Sequence, residues 1–69
     1  MVICSLFAGI GGIDLAFKQS GFEVVWANEF DKDACKTYIH NFPDTLLSEC
    51  DIRKVNAKDI PDFDILAAG

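Results

Sequence analysis

Val2-Ile3-Cys4-Ser5-Leu6-Phe7-Ala8-Gly9-Ile10-Gly11-Gly12 opens the chain almost at its first residue. The apolar run Val2 to Phe7, followed by glycines, reads as a buried strand. Ala8 to Gly12 reads as a tight loop. Ile13 to Ser20 then takes helical spacing: Ile13, Ala16 and Phe17 share one face, while Asp14 and Lys18 form an i,i+4 pair on another. Gly21 stands where a left-handed cap closes such a helix. Strand, glycine loop and helix make the repeating unit of parallel α/β sheets.

The pattern continues outward from that unit. Phe22 to Ala27 is a second, nearly continuous apolar stretch, as expected of a strand buried on both faces. Asp31 is a good N-cap for a second helix, in which Ala34, Cys35, Tyr38 and Ile39 share a face and Lys32, Asp33 and Lys36 meet water. Phe42-Pro43-Asp44 ends it. Thr45 to Ser48 reads as a third strand, Val55 to Asp59 as a helical turn closed by Pro61, and Phe63 to Ala68 as a fourth strand. The expected fold is therefore α/β, with about four parallel strands and two to three helices. Right-handed crossovers would make it a doubly wound, Rossmann-like sheet. There are no internal repeats, linkers or low-complexity segments.

Composition limits the rest. The chain has 69 residues, 51% of them hydrophobic, which is high for one small domain and implies apolar surface meant for further protein. The apolar ending Ile65-Leu66-Ala67-Ala68-Gly69 points to a fragment, or to one part of a split protein. Net charge is -5, so no basic surface for tracking phosphates is present, and an acidic site suits a cationic ligand. Cys4, Cys35 and Cys50 are odd in number and fit neither a disulfide framework nor a zinc site, so reduced thiols are expected. No signal peptide is evident, and no apolar run approaches the ~20 residues of a membrane span.

Ligands of open α/β sheets bind beyond the carboxyl ends of the strands. Three such ends carry informative residues. Phe7, Ala8, Gly9, Ile10, Gly11 and Gly12 follow strand one; three glycines within four residues let a ligand approach the backbone, and the next helix offers free N–H groups. Glu29, at the end of strand two, can accept two hydrogen bonds from ribose hydroxyls. Phe30 can present an apolar ring to an adenine, or be an ordinary core residue. Asp51, after strand three, can accept from an adenine amino group with Ile52 packed beside it, or serve as a cap. His40 and the acids Glu23, Asp59, Asp62 and Asp64 read as surface and turn residues. These features reach an adenosine-containing cofactor without choosing sharply among cofactors. The G-x-G-G loop lacks the G-x-G-x-x-G spacing of dinucleotide sites, which counts against an NAD-dependent oxidoreductase.

Ser5-Leu6-Phe7-Ala8-Gly9-Ile10-Gly11-Gly12 closely resembles the first motif of the cytosine-5 DNA methyltransferases. Asn28-Glu29-Phe30-Asp31 resembles their second motif and Asp51-Ile52 their third. Asp64-Ile65-Leu66-Ala67-Ala68-Gly69 looks like the approach to their catalytic motif, which continues Phe-Pro-Cys. Two departures are Ser5, where many members have Asp, and Cys50, where Gly often precedes the aspartate. The resemblance implies S-adenosylmethionine as cofactor: loop Phe7 to Gly12 around its methionine half, Glu29 on the ribose, Phe30 over the adenine, and Asp51 with Ile52 at its edge. It also implies a cysteine nucleophile that attacks carbon 6 of a flipped-out cytosine, so that carbon 5 takes the methyl group. That cysteine would fall just beyond Gly69, and none of Cys4, Cys35 or Cys50 stands in for it.

Residues 1–69 are thus expected to be the cofactor-binding front of a catalytic domain, from an enzyme of the restriction-modification type. The same resemblance allows a non-catalytic subunit or remnant of a split methyltransferase, and a tRNA methyltransferase of the family. DNA would be a partner through protein beyond Gly69, with a complementary subunit or the rest of the domain against strand four. The location would be cytoplasmic, or nuclear in a eukaryote, with no membrane and no secretion.

Overall fold

The computed structural model describes residues 1–9 and 11–68; Ile10 and Gly69, both named above, lie outside the described residues. The elements are β1 (Val2–Leu6), α1 (Gly12–Gln19), β2 (Glu23–Glu29), α2 (Lys32–Asn41), β3 (Leu46–Glu49), two single-turn 3-10 segments (Ile52–Lys54 and Ala57–Asp59) and β4 (Ile65–Ala68). All strand pairs are parallel, in the order β3-β2-β1-β4. The expected α/β sheet is present, with β4 paired to β1. β2 runs two residues further than its apolar stretch, so Asn28 and Glu29 belong to the strand itself.

Local signals explain both helices. α1 is closed two residues past its last residue, Gln19, by Gly21, whose φ of 90° admits the left-handed cap. There the Gly21 N–H reaches the Lys18 carbonyl at 3.1 Å and the Phe22 N–H reaches the Phe17 carbonyl at 3.0 Å. The accompanying apolar contact is Phe17 against Phe22, edge to face at 5.7 Å. α2 starts at Asp31, whose carboxylate accepts the Ala34 N–H at 2.9 Å.

Both helices lie on one sheet face. Ser5 on β1 and Tyr38 on α2 both bond the Asp14 carboxylate of α1, at 2.7 and 2.6 Å. On that face Ile3, Val24 and Ala67 pack with Phe17 and Phe22, and Ala27 packs with Tyr38 and Phe42. The opposite face is crossed by the connection from β3 to β4, where the Cys4 thiol donates to the Pro61 carbonyl at 3.7 Å. Among the described residues, both α-helices therefore lie on the same side of the sheet.

Four expectations need correction. Asp14 is 1% exposed rather than paired with Lys18 in water; Lys18 instead sits 5.8 Å from the centre of the Phe42 ring. Ile13, Ala16 and Ile39 are exposed, so Phe17 carries the α1 contact and Cys35 and Tyr38 carry that of α2. The turn expected over Val55 to Asp59 is shorter, Ala57–Asp59, and an unforeseen turn, Ile52–Lys54, precedes it; Asn56 and Asp51 start them, their side chains accepting the N–H two residues ahead. Asp64 does more than face water: its carboxylate accepts the Val2 N–H at 2.8 Å and ties the start of β4 to β1.

Candidate cofactor site

Parallel strands deliver their carboxyl ends to one edge, so the three informative segments meet there. Phe7 leaves β1 with φ 53°, a left-handed conformation that a bulky side chain adopts at a cost of about 1–3 kcal/mol. The turn carries its ring into solvent. Ala8 follows, its N–H donating to the Asn28 carbonyl at 2.9 Å. Gly11 has φ 96° and lies against Phe42, where a Cβ would collide with the ring. Gly12 is the first residue of α1 and is open to solvent.

Glu29 closes the loop from the β2 side. Its Oε1 accepts the Gly9 N–H at 2.8 Å, while Oε2 accepts the N–H groups of Phe30 at 2.7 Å and Asp31 at 2.8 Å. These bonds, that from Asp31 foremost, outweigh partial burial and hold the carboxyl below its ordinary range. Phe30 is exposed and lines an open concavity of about 340 Å³ with Lys32, Cys35, Lys36 and Glu49. A second open concavity, about 290 Å³, reaches the loop and is lined by Gly11, Gly12, Leu15, Asn41 and Phe42. Among the described residues, the strand ends thus form an open shelf.

Asp51 both caps and pairs. Its carboxylate accepts the Arg53 N–H at 2.9 Å and meets the Arg53 guanidinium through Nε and Nη2. The guanidinium bonds chiefly pull its pKa down to about 2. Ile52, the next residue, is half-buried. Direct hydrogen bonds join Gly9 to Glu29 and Ala8 to Asn28; Asp51 is linked to them through Asn28, whose side-chain amide donates to the Cys50 carbonyl at 2.9 Å.

Two features escaped the sequence. One is Asn28. The other is the buried Asp14 carboxylate of α1, bonded by Ser5 and Tyr38. Its apolar neighbours Ile13, Leu15 and Ala16 leave no clean stripe along α1, so periodicity gave no reason to turn Asp14 inward.

Glu29 and Asp51 put carboxylates at this edge, and the chain's one guanidinium, that of Arg53, is held by Asp51. Such an edge accepts hydrogen bonds and attracts positive charge, and it offers little to a diphosphate. A model of the C-5 cytosine-specific DNA methylase family matches residues 1–69. The chain belongs to that family. It is 57% identical over 68 residues to the type II methyltransferase M.Bsp6I of Bacillus sp. (strain RFL6), covering 97% of this chain and 21% of that protein. With M.HhaI of Haemophilus parahaemolyticus it shares 52% identity over 64 residues, 93% of this chain and 19% of the other. Among solved structures it resembles a prophage-encoded E. coli protein described as a DNA modification methyltransferase, with TM-score 0.89, 31% identity, and coverage of 99% and 22% of the two chains. A variant of DNMT2 from Spodoptera frugiperda gives TM-score 0.74 and 37% identity over 83% of this chain and 18% of its own. The chain spans about one fifth of the length of the curated relatives it matches.

The three cysteines differ in their relation to this edge: the Cys35 thiol donates to the Glu29 carbonyl at 3.4 Å, and the Cys50 carbonyl accepts from Asn28. Cys4 and Cys35 are buried within β1 and α2, and desolvation pushes both thiols upward, with Glu49 and Glu29 adding to the effect at Cys35. Cys50 is half-buried and lies 3.3 Å from the Ser48 hydroxyl. Among the described residues, no helix is long and apolar enough to cross a membrane.

Proposed function

We propose that residues 1–69 form the S-adenosylmethionine-binding front of a DNA (cytosine-5)-methyltransferase of the restriction-modification type. The observation that carries this reading is the joining of the glycine loop to Glu29 at an edge lined by carboxylates. The cofactor brings ribose hydroxyls, an adenine amino group, an ammonium and a sulfonium, and the residues present suit each. Phe7, Ala8, Gly9, Ile10, Gly11 and Gly12 would surround the methionine half. Glu29 would hold the ribose, Phe30 would cover the adenine, and Asp51 with Ile52 would read its edge. When bound, the cofactor supplies an electrophilic methyl group.

This chain's own residues bind and orient; they do not attack the base. Cys4 and Cys35 are buried with raised pKa values, unsuited to forming a thiolate nucleophile. The target base, and the nucleophile that activates it, would be met by protein beyond these residues. The type II names of the relatives support DNA as substrate.

Calorimetry of the chain with S-adenosylmethionine and, separately, NAD tests the reading. Binding of the former alone, weakened at least tenfold in Glu29→Ala, is the expected result. Equal binding of both, or no effect of the substitution, would contradict it.

A further inference from the structure

Within Asn28-Glu29-Phe30-Asp31, only Asn28 has its side chain turned to the face away from the helices and wholly covered, at 1% exposure. Its Nδ2 donates to two carbonyls of the β3 end, Ser48 at 3.3 Å and Cys50 at 2.9 Å. Its own carbonyl accepts the Ala8 N–H of the glycine loop at 2.9 Å. One residue therefore meets both neighbouring strand ends, by its main chain on one side and its side chain on the other. The chemistry demands a primary amide. Two carbonyl oxygens need two N–H groups from one short side chain; an aspartate would set oxygen against oxygen, and a leucine would leave both carbonyls without that donor.

We propose that Asn28 is a positioning residue for adenine recognition. By gripping the Cys50 carbonyl it sets where the adjacent Asp51 carboxylate stands relative to the loop and Glu29. The inference rests on the cofactor reading above, because it takes Asp51 as the acceptor of the adenine amino group.

A purely structural residue, when lost, weakens every ligand of the site by one common factor. A residue that places Asp51 costs the amino-group contact selectively. The test compares S-adenosylhomocysteine with its purine analogue lacking the 6-amino group, titrated against the full chain. The unmodified chain should prefer the amino-bearing ligand by up to about tenfold, the worth of one well-placed hydrogen bond. Asn28→Ala should bring the preference to within about twofold, Asp51→Ala should do the same, and the double variant should go no further. Amide exchange supplies a readout without ligand. The Arg53 N–H, bonded to Asp51, should exchange faster in Asn28→Ala, while the Ala8 N–H, bonded to the residue's main chain, keeps its protection. Should that variant not fold, the unmodified chain decides, because the Asn28 side-chain hydrogens should exchange slowly. A collapsed preference in Asp51→Ala with an unchanged one in Asn28→Ala overturns the positioning role alone. An unchanged preference in Asp51→Ala, or no binding of either probe, overturns the cofactor reading beneath it. Side-chain hydrogens exchanging at free-amide rates overturn the grip on Cys50.

Discussion

Glu29 Oε1 accepts the Gly9 N–H at 2.8 Å, so the carboxylate at the end of β2 closes the loop that follows β1. Its other oxygen is held by Phe30 and Asp31. The bonds favour the charged form, and the folded-state pKa is lowered, with the Asp31 N–H the main cause. A lowered carboxyl contributes stability that is present above its unfolded pKa and is lost as pH falls through the folded value. Glu29→Gln should therefore cost about 1–2 kcal/mol at neutral pH and blunt the acid-induced loss of stability. Urea melts from pH 7 down to pH 3 check this. Parallel pH curves for the two proteins would remove Glu29 from the linkage.

The buried Asp14 network sets a second expectation. Tyr38 is the chain's one tyrosine, and burial together with the Asp14 carboxylate pushes its hydroxyl upward. Ultraviolet titration should detect no phenolate near pH 10, where free tyrosine ionises, until the chain unfolds. Tyr38→Phe should cost about 1–3 kcal/mol, because it leaves one Asp14 oxygen without its donor. Ordinary tyrosine titration in the folded chain would refute the network.

Much of this architecture was legible because it is local. The Asp31 cap, the Gly21 cap and the apolar runs of β1 and β2 announce themselves within a few residues. So did the loop Phe7 to Gly12 and Glu29, whose neighbours in sequence mark a strand end. Asp14 was not legible, since the partner that fixes its direction, Tyr38, lies 24 residues away. The i,i+4 rule pairs Asp14 with Lys18 but carries no information on which side of the helix meets the sheet. Asn28 was hidden for the same reason: its partners Ser48 and Cys50 are backbone carbonyls, and any residue type could supply them.

Adjacent glycines should respond in opposite ways. Gly11 combines φ 96° with the Phe42 ring against its Cα, so Gly11→Ala should destabilise by about 2–3 kcal/mol. Gly12 has open space around it in the first turn of α1, so Gly12→Ala should be neutral or stabilise by up to about 1 kcal/mol. Thermal melts of the pair decide, and equal losses would contradict the loop geometry.

β4 is an edge of the described sheet, and Leu66 upon it is 50% exposed. An apolar edge with free backbone groups invites pairing with another chain. Sedimentation of the isolated chain should show self-association that Leu66→Lys reduces. A monodisperse monomer with a cooperative melt well above room temperature would show this edge to be protected.

The most direct test of the cofactor site is a two-dimensional amide NMR titration of the chain with S-adenosylhomocysteine. Shifts should concentrate at Phe7, Ala8, Gly9, Glu29, Phe30, Asp51 and Ile52, at the carboxyl ends of β1, β2 and β3. Shifts concentrated instead at Glu23, Val24 and Thr45, at the other end of the sheet, or no shifts at millimolar ligand, would contradict the assignment of that edge to the cofactor.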